Sequence, residues 1–191
     1  MNTKYQVLQD VVDMEIGGMG ALFHEALDYV IIHSNQIEKE DKLLRIAEIS
    51  VRQIHVLKYT EALKEMWQIF IKSSHTELQV NILIACGDMA TEDPGIIDKM
   101  NKWLNARNDI FLTGKNINTQ VITACVQALG KIGDQSSFIP VFTAMLLQYS
   151  ALVTSTAEQA LNMIKGDITQ LYMNVIMEGR FKEKKEGLQY S

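Results

Sequence analysis

The sequence predicts an all-α protein built from a repeating pair of helices, and three observations carry that prediction. The 191 residues include only 11 glycines and 2 prolines, too few for the dense turns of a β-sandwich or barrel. Hydrophobic residues make up 47% of the chain, enough to bury a core, and they fall in stripes of helical period. The segment Val121 to Asp134 recurs in weaker form at Leu43 to Ile54, Leu78 to Ala90 and Val153 to Ile164. Repetition on this scale is the signature of stacked supersecondary units.

Residues 1–38 read as an N-terminal helical cap. Helices are expected over 4–16 and 19–33, with Val7, Leu8, Val11 and Val12 in one apolar stripe and Leu22, Leu27, Val30 and Ile31 in the other. Gly17, Gly18 and Gly20 are expected to act as the hinge between them. A repeat array needs such a cap, because its terminal unit otherwise exposes a packing seam.

Residues 39–179 read as the array, and its first helices align on two columns. Ser50, Ala85, Ala128 and Ala160 form a column of small anchors, spaced by 35, 43 and 32 residues. Three residues earlier stand Ala47, Ile82, Cys125 and Ala157. Each first helix leads into a second, expected over 61–72, 94–106, 138–148 and 168–179. Asp93 before Pro94 and Asp167 after Gly166 are expected N-caps, and Thr76 to Gln79 has the pattern of a capping box. A bulky residue follows each anchor by 17 or 18 positions: Trp67, Trp103, Met145 and Met177. That column is expected to pack at the seam between repeats. Residues 180–191 carry mostly charge and read as a C-terminal tail.

The run Ala128 to Asp134, with Val121 before it, resembles the helix-end signature of the HEAT repeat family, in its bacterial form related to bilin-lyase repeats. The resemblance extends over about residues 40–179. It implies an α-solenoid of about four HEAT-like helix pairs behind the N-terminal cap. The family commonly carries an arginine just after the first apolar anchor, where this chain has Leu44, Gln79, Ile122 and Thr154. An Asp–Arg ladder between repeats is therefore not expected, and apolar seams must do more of the joining.

Several chemistries are excluded by residue type and spacing. Cys86 and Cys125 give no disulfide framework or CxxC pair and sit on core-facing columns. His24-Glu25 is a single His-Glu pair, while His33, His55 and His75 have no such neighbour, so no metal site is expected. The glycines at 17, 18 and 20 precede no Gly-Lys-Ser/Thr and do not make a phosphate loop. A net charge of −5, with no basic run longer than Lys184-Lys185, argues against nucleic acid as a partner. No stretch has the length and apolarity of a transmembrane helix, and the first residues are not a secretory signal. The expectation is a cytoplasmic protein with no membrane contact, no cofactor and no catalytic grouping.

The expected function is therefore non-enzymatic: a protein–protein interaction or scaffold module with an unidentified protein partner. The outward residues of the second helices, Lys64, Gln68, Lys72, Asn101, Asn105, Gln148 and Asn174, would line its binding face. The long connection from Arg107 to Ile117 stretches the middle spacing and carries Ile110, Phe111 and Leu112, a second candidate contact. Two other readings stay open. One is a small-molecule-binding or lyase-like enzyme, implied only by the family resemblance. The other is a structural component of a homo-oligomer.

Overall fold

The computed structural model describes residues 2–14 and 18–167, together with Gln170, Leu171 and Met173. Among these residues the fold is all-helical, with nine α-helices and no strand. In chain order they are α1 (Asn2–Asp13), α2 (Gly20–Ile32), α3 (Asp41–Leu57), α4 (Leu63–Lys72), α5 (Thr76–Met89), α6 (Pro94–Leu112), α7 (Thr119–Ile132), α8 (Phe138–Leu147) and α9 (Ala151–Met163). No helix among the described residues is long and apolar enough to cross a membrane. The chain divides into two compact units, Met1–Ile96 and Ile97–Ser191.

In the first unit helices pack on alternate as well as on neighbouring helices. α3 lies against both α1 and α5, and α2 lies against both α3 and α4. The reason is legible along α3, where Leu43, Ile46, Ala47, Ser50, Val51 and Ile54 are all buried. Their i, i+3, i+4, i+7 spacing makes one wide apolar stripe, broad enough to meet a helix on either side. α4 ends where its apolar stripe does, and Gln79 of α5 reaches back to hold that end. Its Nε2 donates to the carbonyls of Phe70 at 3.1 Å and Ser73 at 2.9 Å. The expected capping box is thus not formed. His75, not Thr76, is the N-cap of α5, and Gln79 is drawn to the orphan carbonyls of the preceding helix instead.

In the second unit α9 packs on both α7 and α8. α7 begins on Asn118, whose Oδ1 accepts from the backbone N–H of Gln120 and Val121, and ends on Gly133 with φ at 72°. Only glycine enters that left-handed region without strain. Here a side chain would also meet the Met163 carbonyl, 3.0 Å from the Cβ position. α9 begins on Ser150, whose Oγ accepts from Val153 N–H.

Both small-residue columns are buried along their full length: Ser50, Ala85, Ala128 and Ala160 in one, Ala47, Ile82, Cys125 and Ala157 in the other. Asp93 and Asp167 cap as expected, accepting from the N–H of Ile96 and Gln170. The rest of the expected helix over 168–179, with Met177 and Asn174, and the tail over 180–191 lie outside the described residues.

Two expectations are corrected. Gly20 is not part of a hinge but the first residue of α2, buried under the Tyr59 ring, which occupies the space a Cβ would need. The second correction is larger. α6 does not end at 106 but runs to Leu112, so Ile110, Phe111 and Leu112 are helical rather than in a loop. The polar run around Asn108 reads as the start of a connection. In the fold Asn108 is buried, its Nδ2 donating to Pro140 O at 3.0 Å and its Oδ1 accepting from Tyr149 Oη–H at 2.8 Å. An internal polar residue with both ends satisfied lets the helix continue.

Candidate functional site

The expected binding residues fall into three groups. Lys64, Gln68 and Lys72 share one face of α4 at i, i+4 and i+8, with the lysines exposed and Gln68 half-buried. Exposed Ile71 adjoins that stripe. Lys72 Nζ reaches the Ile31 carbonyl at 3.5 Å, so the C-terminal ends of α2 and α4 lie side by side. Each end carries an exposed isoleucine, Ile32 at 76% and Ile71 at 56%. Asn105 and Gln148 are exposed in the second unit, Gln148 at the left-handed C-cap of α8. Asn174 lies outside the described residues.

Four of the expected residues are placed differently from the expectation. Asn101 is not outward-facing: it is 8% exposed, and its Nδ2 donates to Ser136 Oγ at 3.0 Å. Ile110, Phe111 and Leu112 are half-buried, and the Phe111 ring lies on the Tyr149 ring with centroids 4.1 Å apart. The three residues thus belong to a helix and not to a loop, with one of their side chains packed on a tyrosine. Burial, and then the Asp109 charge, push the Tyr149 hydroxyl up, so it stays a donor to Asn108.

The tryptophans also part company. Trp67 is 6% exposed and stacks on Phe70 at 4.7 Å, as a seam residue should. Trp103 is half-exposed with the Arg107 guanidinium 5.1 Å above its ring.

Polar links of long sequence separation are what the sequence did not disclose. Glu38, on the connection before α3, accepts from Ser73 Oγ at 3.1 Å and Ser74 N–H at 2.7 Å. The Ser74 N–H bond holds its carboxyl below the ordinary glutamate range. His55 Nε2 lies 2.8 Å from Asp88 Oδ2, with Lys58 Nζ at 3.5 Å from the same oxygen. The hydrogen-bonded partners, Asn101 and Ser136 included, are 33 to 36 residues apart, close to the spacing of the small-residue columns, which is the one sequence signal that could have found them.

Cysteine chemistry has no support. Both thiols are buried, and burial, with a smaller push from the Asp93 charge, raises the Cys86 thiol to about 12. It is therefore a neutral thiol at physiological pH and a poor nucleophile.

Two further features lie in the first unit. A cavity of about 280 Å³ opens between α1, α2 and α3, lined by Val7, Leu8, Leu22, Ala26, Tyr29 and Ile46, with Thr3 and Glu25 as its polar members. On α2, His24 and Asp28 come together with Glu65 of α4, their ligand atoms all within 4.8 Å of one another.

Comparison with family models, with characterised proteins and with solved structures finds no match.

Proposed function

We propose that this chain is a helical-repeat interaction module that binds a protein partner without doing chemistry on it, in the manner the HEAT resemblance implies. The observation that carries the reading is the packing of alternate helices in the first unit, α3 on α1 and α5, α2 on α4. That is how stacked helix pairs bury their seams, and it makes the α1–α2 cap pack as one more pair. Such an arrangement turns one side of each second helix outward. On α4 this side carries Lys64, Gln68, Ile71 and Lys72, flanked by Ile32 at the end of α2. Exposed isoleucines amid long polar side chains are suited to a partner that is anchored by a few apolar contacts and positioned by a polar rim.

Affinity capture with quantitative mass spectrometry tests this, using wild type beside an Ile32→Ser/Ile71→Ser variant. Both isoleucines are exposed, so the variant keeps its fold. A protein captured stoichiometrically by the wild type and lost with the variant is the expected result. A protein retained equally by both places the contact elsewhere, and a concentration-dependent mass in light scattering with no other partner favours the homo-oligomer.

The cavity beside α2 favours a second reading, a small-molecule-binding or lyase-like protein. At about 280 Å³ it sits at the lower limit of ligand pockets. A small molecule recovered by mass spectrometry from purified wild type, and absent after Ala26→Trp, would support that reading over the first.

A further inference from the structure

We propose that His24, Asp28 and Glu65 form a binding site for one divalent transition-metal ion of the zinc class, independent of the interaction reading above. The spacing His-x-x-x-Asp puts His24 and Asp28 one helical turn apart on the same face of α2. α2 packs against α4, which brings Glu65 across to them from 41 residues further along the chain. His24 Nε2 and Glu65 Oε2 are 3.0 Å apart, and the three ligand atoms lie within 4.8 Å of one another. A four-coordinate zinc ion holds its ligand atoms roughly 3.4 Å apart, given bonds of about 2.0–2.2 Å. The His–Glu pair is already close to that separation. Asp28 is exposed, so its carboxylate closes the remaining distance by a rotamer adjustment.

The imidazole is held in place rather than loose. Tyr59 meets it edge-on, with ring centroids 5.8 Å apart. The same tyrosine lies over Gly20, one turn earlier on α2, where any Cβ would collide with the ring. Gly20 thus admits Tyr59 against the helix, and Tyr59 limits the planes open to His24. Fixing the orientation of a ligating imidazole is what metal sites require of their surroundings.

Charge and donor type select the ion. A neutral imidazole with two carboxylates is a doubly negative trio, and a protonated His24 neutralises only one of them. One nitrogen with two hard oxygens suits zinc, manganese or ferrous ions better than calcium, magnesium or cuprous copper. Three protein ligands also leave a position for water, as exchangeable zinc sites do. His24 and Glu65 are partly buried, with side-chain exposures of 26% and 15%, which limits competition from solvent without closing the site.

The test uses the full chain, free of any affinity tag and stripped with chelator. Zn2+ is titrated by calorimetry and Co2+ by its visible absorption. The expected result is one ion per chain, with cobalt bands of a nitrogen–oxygen site. Glu65→Gln and Asp28→Asn preserve side-chain shape and should each weaken Zn2+ by about tenfold or more, and His24→Ala should abolish the cobalt bands. His33→Ala, at the C-cap of the same helix and hydrogen-bonded through Nδ1 to the Tyr29 carbonyl, should change nothing. Circular dichroism of the stripped proteins shows that each variant is folded. Should His24→Ala fail to fold, the two shape-preserving variants decide alone. Less than one ion per chain, or Zn2+ affinity unchanged in Glu65→Gln and Asp28→Asn, overturns the proposal and leaves His24–Glu65 a plain ion pair.

Discussion

The α3–α5 joint and the α7–α9 joint stand on the same two columns of residues, yet each is closed by different means. Between α7 and α9 the columns are small throughout: Cys125 and Ala128 on one helix, Ala157 and Ala160 on the other. Gly130 then lets the backbones come so close that a Cβ there would sit 2.5 Å from Ala160 Cβ and 2.6 Å from its Cα. Between α3 and α5 one column carries Ile82, and the helices are tied by His55 and Lys58 on Asp88. Close approach earns dispersion along the whole seam but tolerates no added atoms. A seam with a bulkier residue gains apolar area and takes a polar link at its edge. The same spacing of small residues therefore admits two solutions, set by Ile82 in one column and by Gly130 just beyond the other.

The largest test concerns the second helices of the two units. Trp67→Ala should cost about 3–5 kcal/mol, because it empties a buried, stacked site. Trp103→Ala should cost less, about 1–2 kcal/mol, since its ring is only partly buried and is covered in part by the flexible Arg107 side chain. Chemical denaturation of both variants measures the contrast, and equal losses would break it.

Next comes the tight seam itself. Gly130→Ala should destabilise the protein by about 1–3 kcal/mol through overpacking against Ala160. It should do so even though alanine is the better helix former by about 1 kcal/mol. A gain in melting temperature would show that α7 and α9 have room to part.

Ser50→Ala should move stability the other way. Ser50 stands in the column that alanine fills at 85, 128 and 160, and its buried Oγ has no hydrogen-bond partner among the described residues. Removing a buried, unsatisfied hydroxyl should stabilise by about 0.5–1 kcal/mol. Any loss would place a hidden acceptor in the α3–α5 seam.

An effect no larger than that at Ser50 is expected at the polar link. Asp88→Asn should cost about 0.5–1 kcal/mol at low ionic strength, and the cost should shrink in high salt. A salt-independent loss would mean that Asp88 acts through hydrogen bonds within the seam rather than through its charge.

Much of this architecture was open to a reader of the sequence. The two small columns, the caps at Asp93 and Asp167, and the positions of α3, α5, α7 and α9 follow from local rules: helical periodicity, capping oxygens and the need for small side chains where helices meet. The failures share one cause. Asn101 and Asn108 look like surface residues because amides usually are, and only a partner 32 to 35 residues away makes them internal. The same blindness misplaced the end of α6 and with it Ile110, Phe111 and Leu112. The candidate metal site was hidden for that reason too: His24 and Asp28 are visible at helical spacing, but Glu65 joins them only when α4 is laid on α2.

By itself, then, the sequence determined that this chain is helical, where most of its helices lie and which face of most of them is buried. Those properties depend on residues within a turn or two of one another. Tertiary structure alone decided which polar groups are paired between helices distant in sequence, which tryptophan is fully buried and which only partly, and where three potential metal ligands converge. Those outcomes depend on the approach of helices distant in sequence, and a local pattern carries no term for that approach.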